Sequence, residues 1–114
     1  MSLPGFFPGG DTRQRKERYI MEDKAIALLE VQALVAAIVG LDAMLKAANV
    51  QFVCSEKRLG GKLVTVVVEG SVSAVTAALE AGVAAASEVG SVKLYEVIPR
   101  PHPGILRFLK KTKK

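Results

Sequence analysis

Few side chains in this 114-residue chain are equipped for bond-making chemistry. There is one cysteine, Cys54, and one histidine, His102. A nucleophilic or acid–base centre needs its base within hydrogen-bond reach of the group it serves. Cys54 has no neighbouring His and no second Cys, so it reads as a buried structural thiol on one face of a strand. His102 stands between Pro101 and Pro103, the setting of a rigid surface contact rather than a base. One Cys and one His are too few ligands for a zinc site. The expected catalytic set is therefore empty, and neither a metal nor a cofactor is expected. What remains is Arg58-Leu59-Gly60-Gly61-Lys62, where backbone amides near a Lys could bind an anion. Its spacing does not match the Walker pattern, and a strand rather than a helix follows it. A lone Gly-Gly between strands also reads simply as a hairpin turn.

The formal charge is +5, but the excess lies at the very end, in "RFLKKTKK"; "TRQRKER" is a second basic run. Residues 24–100 carry seven Lys or Arg against seven Asp or Glu. No aromatic residues interleave with the basic runs to stack bases, so they read as solvated tails without specific nucleic-acid recognition. The apolar run Ala33 to Leu41 is nine residues, well short of the roughly 20 that a spanning helix needs. Near the N-terminus the basic cluster follows a short apolar patch, the reverse of a secretory signal. With a single Cys that fits a reducing compartment, the expectation is a cytoplasmic protein.

The elements that must position these residues follow from pattern. Residues 1–20 combine Pro, Gly and a charged run and read as a flexible or partner-ordered arm, which a second start at Met21 would remove. "KAIALLEV" (24–31), "VQFVCSEK" (50–57), "KLVTVVVEG" (62–70) and "SVKLYEVI" (91–98) have strand length. Residues 33–49 are Ala- and Leu-rich with Asp42 and Lys46 four apart, a helix whose acid and base share one face, ended by Asn49 in a left-handed turn. Ser71 is a good N-cap for a second helix closed by Gly90. In that helix Ala74, Ala77, Ala78, Ala81, Ala84 and Ala85 form a nearly flat face. Pro99 and Pro101 stop the last strand, and "GILRFLKK" forms a short terminal helix. The order strand–helix–strand–strand–helix–strand–helix gives an α+β domain, an antiparallel or mixed four-stranded sheet with helices packed on it. Half of the residues are hydrophobic and only six are aromatic, so part of the small-residue surface is expected at an oligomer interface.

"KAIALLEV", "DAMLKAANV", "LVTVVVEGSVSAVTAALEAGVAAA" and "VIPRPHPGI", in that order and spacing, resemble the single-domain hexameric shell proteins of bacterial microcompartments. The resemblance runs from about Met21 to Ile105. It implies an α+β, ferredoxin-like BMC domain with a four-stranded antiparallel sheet and packed helices over residues 21–106, between the 1–20 extension and a basic tail, 107–114. It also implies a homo-hexameric tile, without enzymatic activity, that joins other shell proteins around encapsulated enzymes and passes small polar metabolites through a central pore. By this resemblance Lys46, Asn49, Arg100 and His102 match the tile edge, and Leu59, Gly60, Gly61 and Lys62 match the pore loop. Related members commonly carry Ile-Gly-Ser-Gly there; "RLGGKL" is one residue longer and brings Lys62. A soluble trimeric ferredoxin-like regulator binding an anionic metabolite at "RLGGK" is the alternative.

Overall fold

The computed structural model describes residues 24–111. Both the 1–20 arm and the last three residues of the basic tail lie outside them. Four strands, β1 (Lys24–Val31), β2 (Gln51–Arg58), β3 (Leu63–Ser71) and β4 (Val92–Ile98), alternate with three helices, α1 (Leu34–Ala47), α2 (Val72–Ser87) and α3 (Pro103–Lys111). The order is the one read from the pattern. The strands form one sheet in the order β2-β3-β1-β4, and every neighbouring pair is antiparallel. The open choice between antiparallel and mixed is thus resolved as antiparallel.

The two central strands are the most apolar because one of their faces is wholly covered and the other is covered in part. On one face Ala25, Ala27, Leu29 and Val31 of β1 and Val64, Val66 and Val68 of β3 pack against Ala36, Ala37 and Met44 of α1 and Val75, Ala78, Leu79 and Ala86 of α2. On the other face Ile26, Val53, Cys54 and Val67 form a smaller cluster, roofed by Leu106 and Leu109 of α3. Cys54 is only 3% exposed, as a structural thiol should be. β2 and β4, the outer strands, are largely exposed.

Helices α1 and α2 pack against each other through glycine. A Cβ on Gly82 would fall 2.5 Å from Met44 Cγ and 3.2 Å from the Gly40 carbonyl oxygen. One on Gly40 would meet Leu29 Cδ2 at 2.9 Å and Ala86 Cβ at 3.2 Å. The buried stripe of α2 is Val75, Ala78, Leu79, Gly82 and Ala86, one position round the helix from the expected alanine face. Of that alanine face only Ala78 is buried, while Ala77 and Ala84 are exposed. Small residues on this helix thus serve a helix–helix contact on one side and leave a second small-residue face open.

The helix ends differ from expectation at two points. Ser71 does cap α2, its Oγ accepting from the Ala74 N–H at 3.1 Å. Gly90, however, has no positive φ. It is required because a Cβ would lie 2.7 Å from Ala36 Cβ and 2.9 Å from the Gln32 carbonyl oxygen. Asn49 does not end α1 in a left-handed turn either. The helix stops at Ala47, Ala48 is extended, and the Val50 N–H donates to the Ala48 carbonyl at 2.9 Å. A tight bend thus replaces the left-handed cap.

Candidate functional site

The register of the sheet sorts the candidate residues to its two ends. At one end β2 and β3 join as a hairpin, with Arg58 paired to Leu63. Leu59–Gly61 make a single 3-10 turn between them, closed by the Lys62 N–H donating to the Leu59 carbonyl at 3.3 Å. Leu59 (φ 54) and Gly60 (φ 68) are both left-handed. Gly60 does this at no steric cost, whereas Leu59 stores strain on a side chain that is 73% exposed. Lys62 is exposed as well.

This hairpin meets the start of α1, brought in from elsewhere in the sequence. The Ala33 N–H donates to the Lys62 carbonyl at 3.1 Å, and Ala33 itself is held at φ 89, a conformation that costs a residue with a Cβ on the order of 1–3 kcal/mol. The Gln32 N–H donates to the Ser91 carbonyl at 2.7 Å. Sequence reasoning found no helix N-terminus beside the Gly-Gly; folding supplies one. Its leading N–H is already taken by a carbonyl, which does not favour an anion there.

At the other end, one row crosses the whole sheet: Gln51, Glu69, Ile26 and Ile98 are successive partners. Asn49 precedes this row on β2 and Arg100 follows it on β4. The Asn49 carbonyl packs so closely on Gly70 that a Cβ there would lie 3.1 Å from it. Lys46 reaches the same end because α1 runs back from the hairpin end for 14 residues, about 21 Å. His102 immediately precedes α3 and caps it. Its Nδ1 accepts from the Gly104 N–H at 2.9 Å and its carbonyl accepts from the Ile105 N–H at 2.8 Å, with Pro103 in the first helical position where no donor is needed. All four edge candidates thus lie at the end of the sheet opposite the hairpin. They do not form one cluster, because β2 and β4 are the two outer strands, about 14 Å apart.

Lys46 is exposed, and its Nζ lies 2.8 Å from Asp42 Oδ2. The hydrogen bond to Asp42, and then the charge of that carboxylate, hold the ammonium above the ordinary lysine value of 10.5. A raised value means that the contribution of the pair is complete at neutral pH and is lost only as pH climbs through the folded-state value. An NMR titration of the Lys46 side chain is expected to show a midpoint above 10.5, and Asp42→Asn is expected to bring it down.

Sequence reasoning overlooked Glu69. Its side chain is 7% exposed; Oε2 is 3.5 Å from Lys24 Nζ and 4.0 Å from Lys110 Nζ, and Oε1 has no hydrogen-bond partner. The available signal was a carboxylate closing a Val run on what proves to be a central strand. Among the described residues no group of three or more His, Cys, Asp or Glu is placed to hold a metal, and no helix is long and apolar enough to cross a membrane.

Comparison with known proteins bears on this arrangement. The BMC domain pattern matches residues 25–101. The chain is 50% identical over 91 residues to the bacterial microcompartment shell protein PduA of Citrobacter freundii, covering 80% of this chain and 97% of that one. It is 47% identical over 79 residues to the bacterial microcompartment shell protein EutM of Escherichia coli K12, covering 69% and 80% respectively. A crystal structure of a microcompartment protein from Desulfitobacterium hafniense superposes with a TM-score of 0.69 at 32% identity, over 77% of this chain and 47% of that longer one. Matched across its sheet and the two helices of the main core, the chain belongs to the BMC-domain family of bacterial microcompartment shell proteins.

Proposed function

We propose that six copies of this chain form a hexagonal tile of a microcompartment shell, with the 59–62 hairpin turns around a central pore and Lys46, Asn49, Arg100 and His102 along the outer edges. The role is structural, not enzymatic, and its place is the shell of a compartment in the bacterial cytoplasm. Other shell proteins are its neighbours, and encapsulated enzymes are its contents.

The observation that carries the reading is the sorting of the candidates to opposite ends of one sheet. A tile needs its pore-lining segment and its joining segment far apart on each protomer, and eight-residue strands separate them by about 25 Å. The edge residues also suit a contact between tiles. Asn49 and Arg100 border opposite outer strands, Lys46 lies on α1 and His102 caps α3, so the four fail to converge within one chain and become useful only when a neighbour supplies the rest. Lys46 has two donor positions left after Asp42 takes one, enough to reach a neighbour's backbone carbonyls while its methylene stem packs along the edge. Many such weak contacts on a rigid hexamer add through multivalency. At the pore, six copies of Lys62 would place six positive charges at the mouth and favour small anions.

Light scattering with negative-stain microscopy tests the tile. Wild-type protein is expected to have hexamer mass and to form sheets or tubes, while Lys46→Ala keeps the hexamer mass and stays as separate discs. A monodisperse trimer that never assembles would overturn the reading in favour of the ligand-binding regulator.

A further inference from the structure

Among the described residues, Glu69 holds the one buried side-chain oxygen without a hydrogen-bond partner, Oε1. The residue lies on the α3 face of the sheet, two positions from Val67 on β3 and in one row with Ile26 and Ile98. Its side chain is only 7% exposed, yet its two cations stand off. Lys24 Nζ is 3.5 Å and Lys110 Nζ 4.0 Å from Oε2, beyond the roughly 2.7–2.9 Å of a charge-assisted hydrogen bond. Taking a carboxylate out of water at such a place costs more than two loose cations offset.

The element laid over this part of the face is α3. Its Leu106 and Leu109 sit on Ile26, Val53, Cys54 and Val67, and its Lys110 reaches Glu69. The helix has nine residues, and its other large apolar side chains, Ile105 and Phe108, are 43% and 61% exposed. Among the described residues its one ion pair is the loose contact with Glu69. Pro99, Pro101 and Pro103 stiffen the connection from β4, so Lys110 lies at the free end of a short arm. When that end lifts, water returns to both oxygens of Glu69, while Lys24 on β1 stays beside it. Burial of two leucines thus pulls α3 down, and rehydration of one carboxylate pushes it off.

We propose that α3 is a lid poised to open, with Glu69 beneath its free end as the group that drives it off the sheet and Lys110 as the counter-charge that restrains it. Opening uncovers the cluster of Ile26, Val53, Cys54 and Val67 and leaves the face held by α1 and α2 intact. The lid belongs to a single protomer and stands whether or not the protein tiles.

The rate at which Cys54 reacts with an aromatic disulfide reads the opening. Glu69→Met, which keeps an unbranched side chain and removes its charge, is expected to slow the reaction about tenfold, because an apolar group under the helix has no hydration to regain. Lys110→Gln is expected to speed it about threefold. In Glu69→Met/Lys110→Gln the rate should follow Glu69→Met, since the lysine acts through the carboxylate. Hydrogen exchange of the α3 amides should move by the same factors, a measure independent of the thiol. At low urea the wild-type thiol rate should stay nearly flat, the mark of a local opening that exposes little surface. A rate raised by Glu69→Met would mean that Glu69 holds α3 down, and an unchanged rate would remove Glu69 from the balance; either result overturns the proposal. So does a wild-type rate that climbs with urea as steeply as global unfolding.

Discussion

Gly82→Val is expected to lower the melting temperature by roughly 15 °C, the equivalent of about 3 kcal/mol for a domain of this size. The reason is geometric. The first carbon of any side chain at this position would fall 2.5 Å from Met44 Cγ, and the Gly40 carbonyl at 3.2 Å blocks a retreat along the helix. Met44 is fully buried, so it cannot swing aside without displacing the packing around Leu29 and Ala86. Either the helices part, which opens the core between them, or the side chains take poor rotamers; both are costly. Ala84→Val, on the exposed side of the same helix, carries the same β-branched penalty and is expected to cost well under 1 kcal/mol. The pair Gly82→Val/Met44→Ala should be less destabilised than the sum of its parts by about 1–2 kcal/mol, because truncating Met44 opens the volume that the introduced isopropyl group needs. Thermal melts of the four variants decide the matter, and additivity would mean that this contact does not set the helix spacing.

The second large effect concerns α3. Leu106 and Leu109 are its two anchors on the cluster that contains Cys54, and the thiol is 3% exposed beneath them. In Leu106→Ala/Leu109→Ala, about 2–3 kcal/mol of burial is removed from an element of nine residues. Its opening equilibrium shifts accordingly, and Cys54 should react with an aromatic disulfide about 100-fold faster than in wild type. The main sheet should be untouched, because α1 and α2 hold its other face. An unchanged thiol rate would show that something other than α3 shields Cys54.

How much of this was legible in the sequence differs from element to element. The strands could be placed to within a residue because Val-rich runs are bounded by Gly, Asn and Pro, and a covered strand such as Val64–Val68 has few other readings. The resemblance supplied the family. What the sequence did not carry was whatever depends on partners distant along the chain. Gly90 was read through its conformational freedom, yet it is glycine because Ala36 and Gln32 leave no room. Ala33 at φ 89 has no local signature at all, since its conformation is imposed where the loop carbonyl of Lys62 takes its N–H. The alanines of α2 were assigned a face by counting threes and fours, but Ala-rich helices give little contrast between faces, and the true stripe was fixed by Val75, Leu79 and Gly82. At the candidate site, the residue types were legible and their separation was not. Only the strand order β2-β3-β1-β4 places Asn49 and Arg100 on opposite margins of the same end.

One backbone hydrogen bond and one helix together link those two ends. The carbonyl of Lys62 is tied to the N–H of Ala33, where α1 begins, and α1 ends at the turn that carries Lys46. A helix of this length, seated on a close-packed core, behaves as a strut. Under the proposed tiling, a pull on one edge would be delivered to the hairpin at the centre of the same tile, and the permeability of the wall would become a reporter of the tension within it.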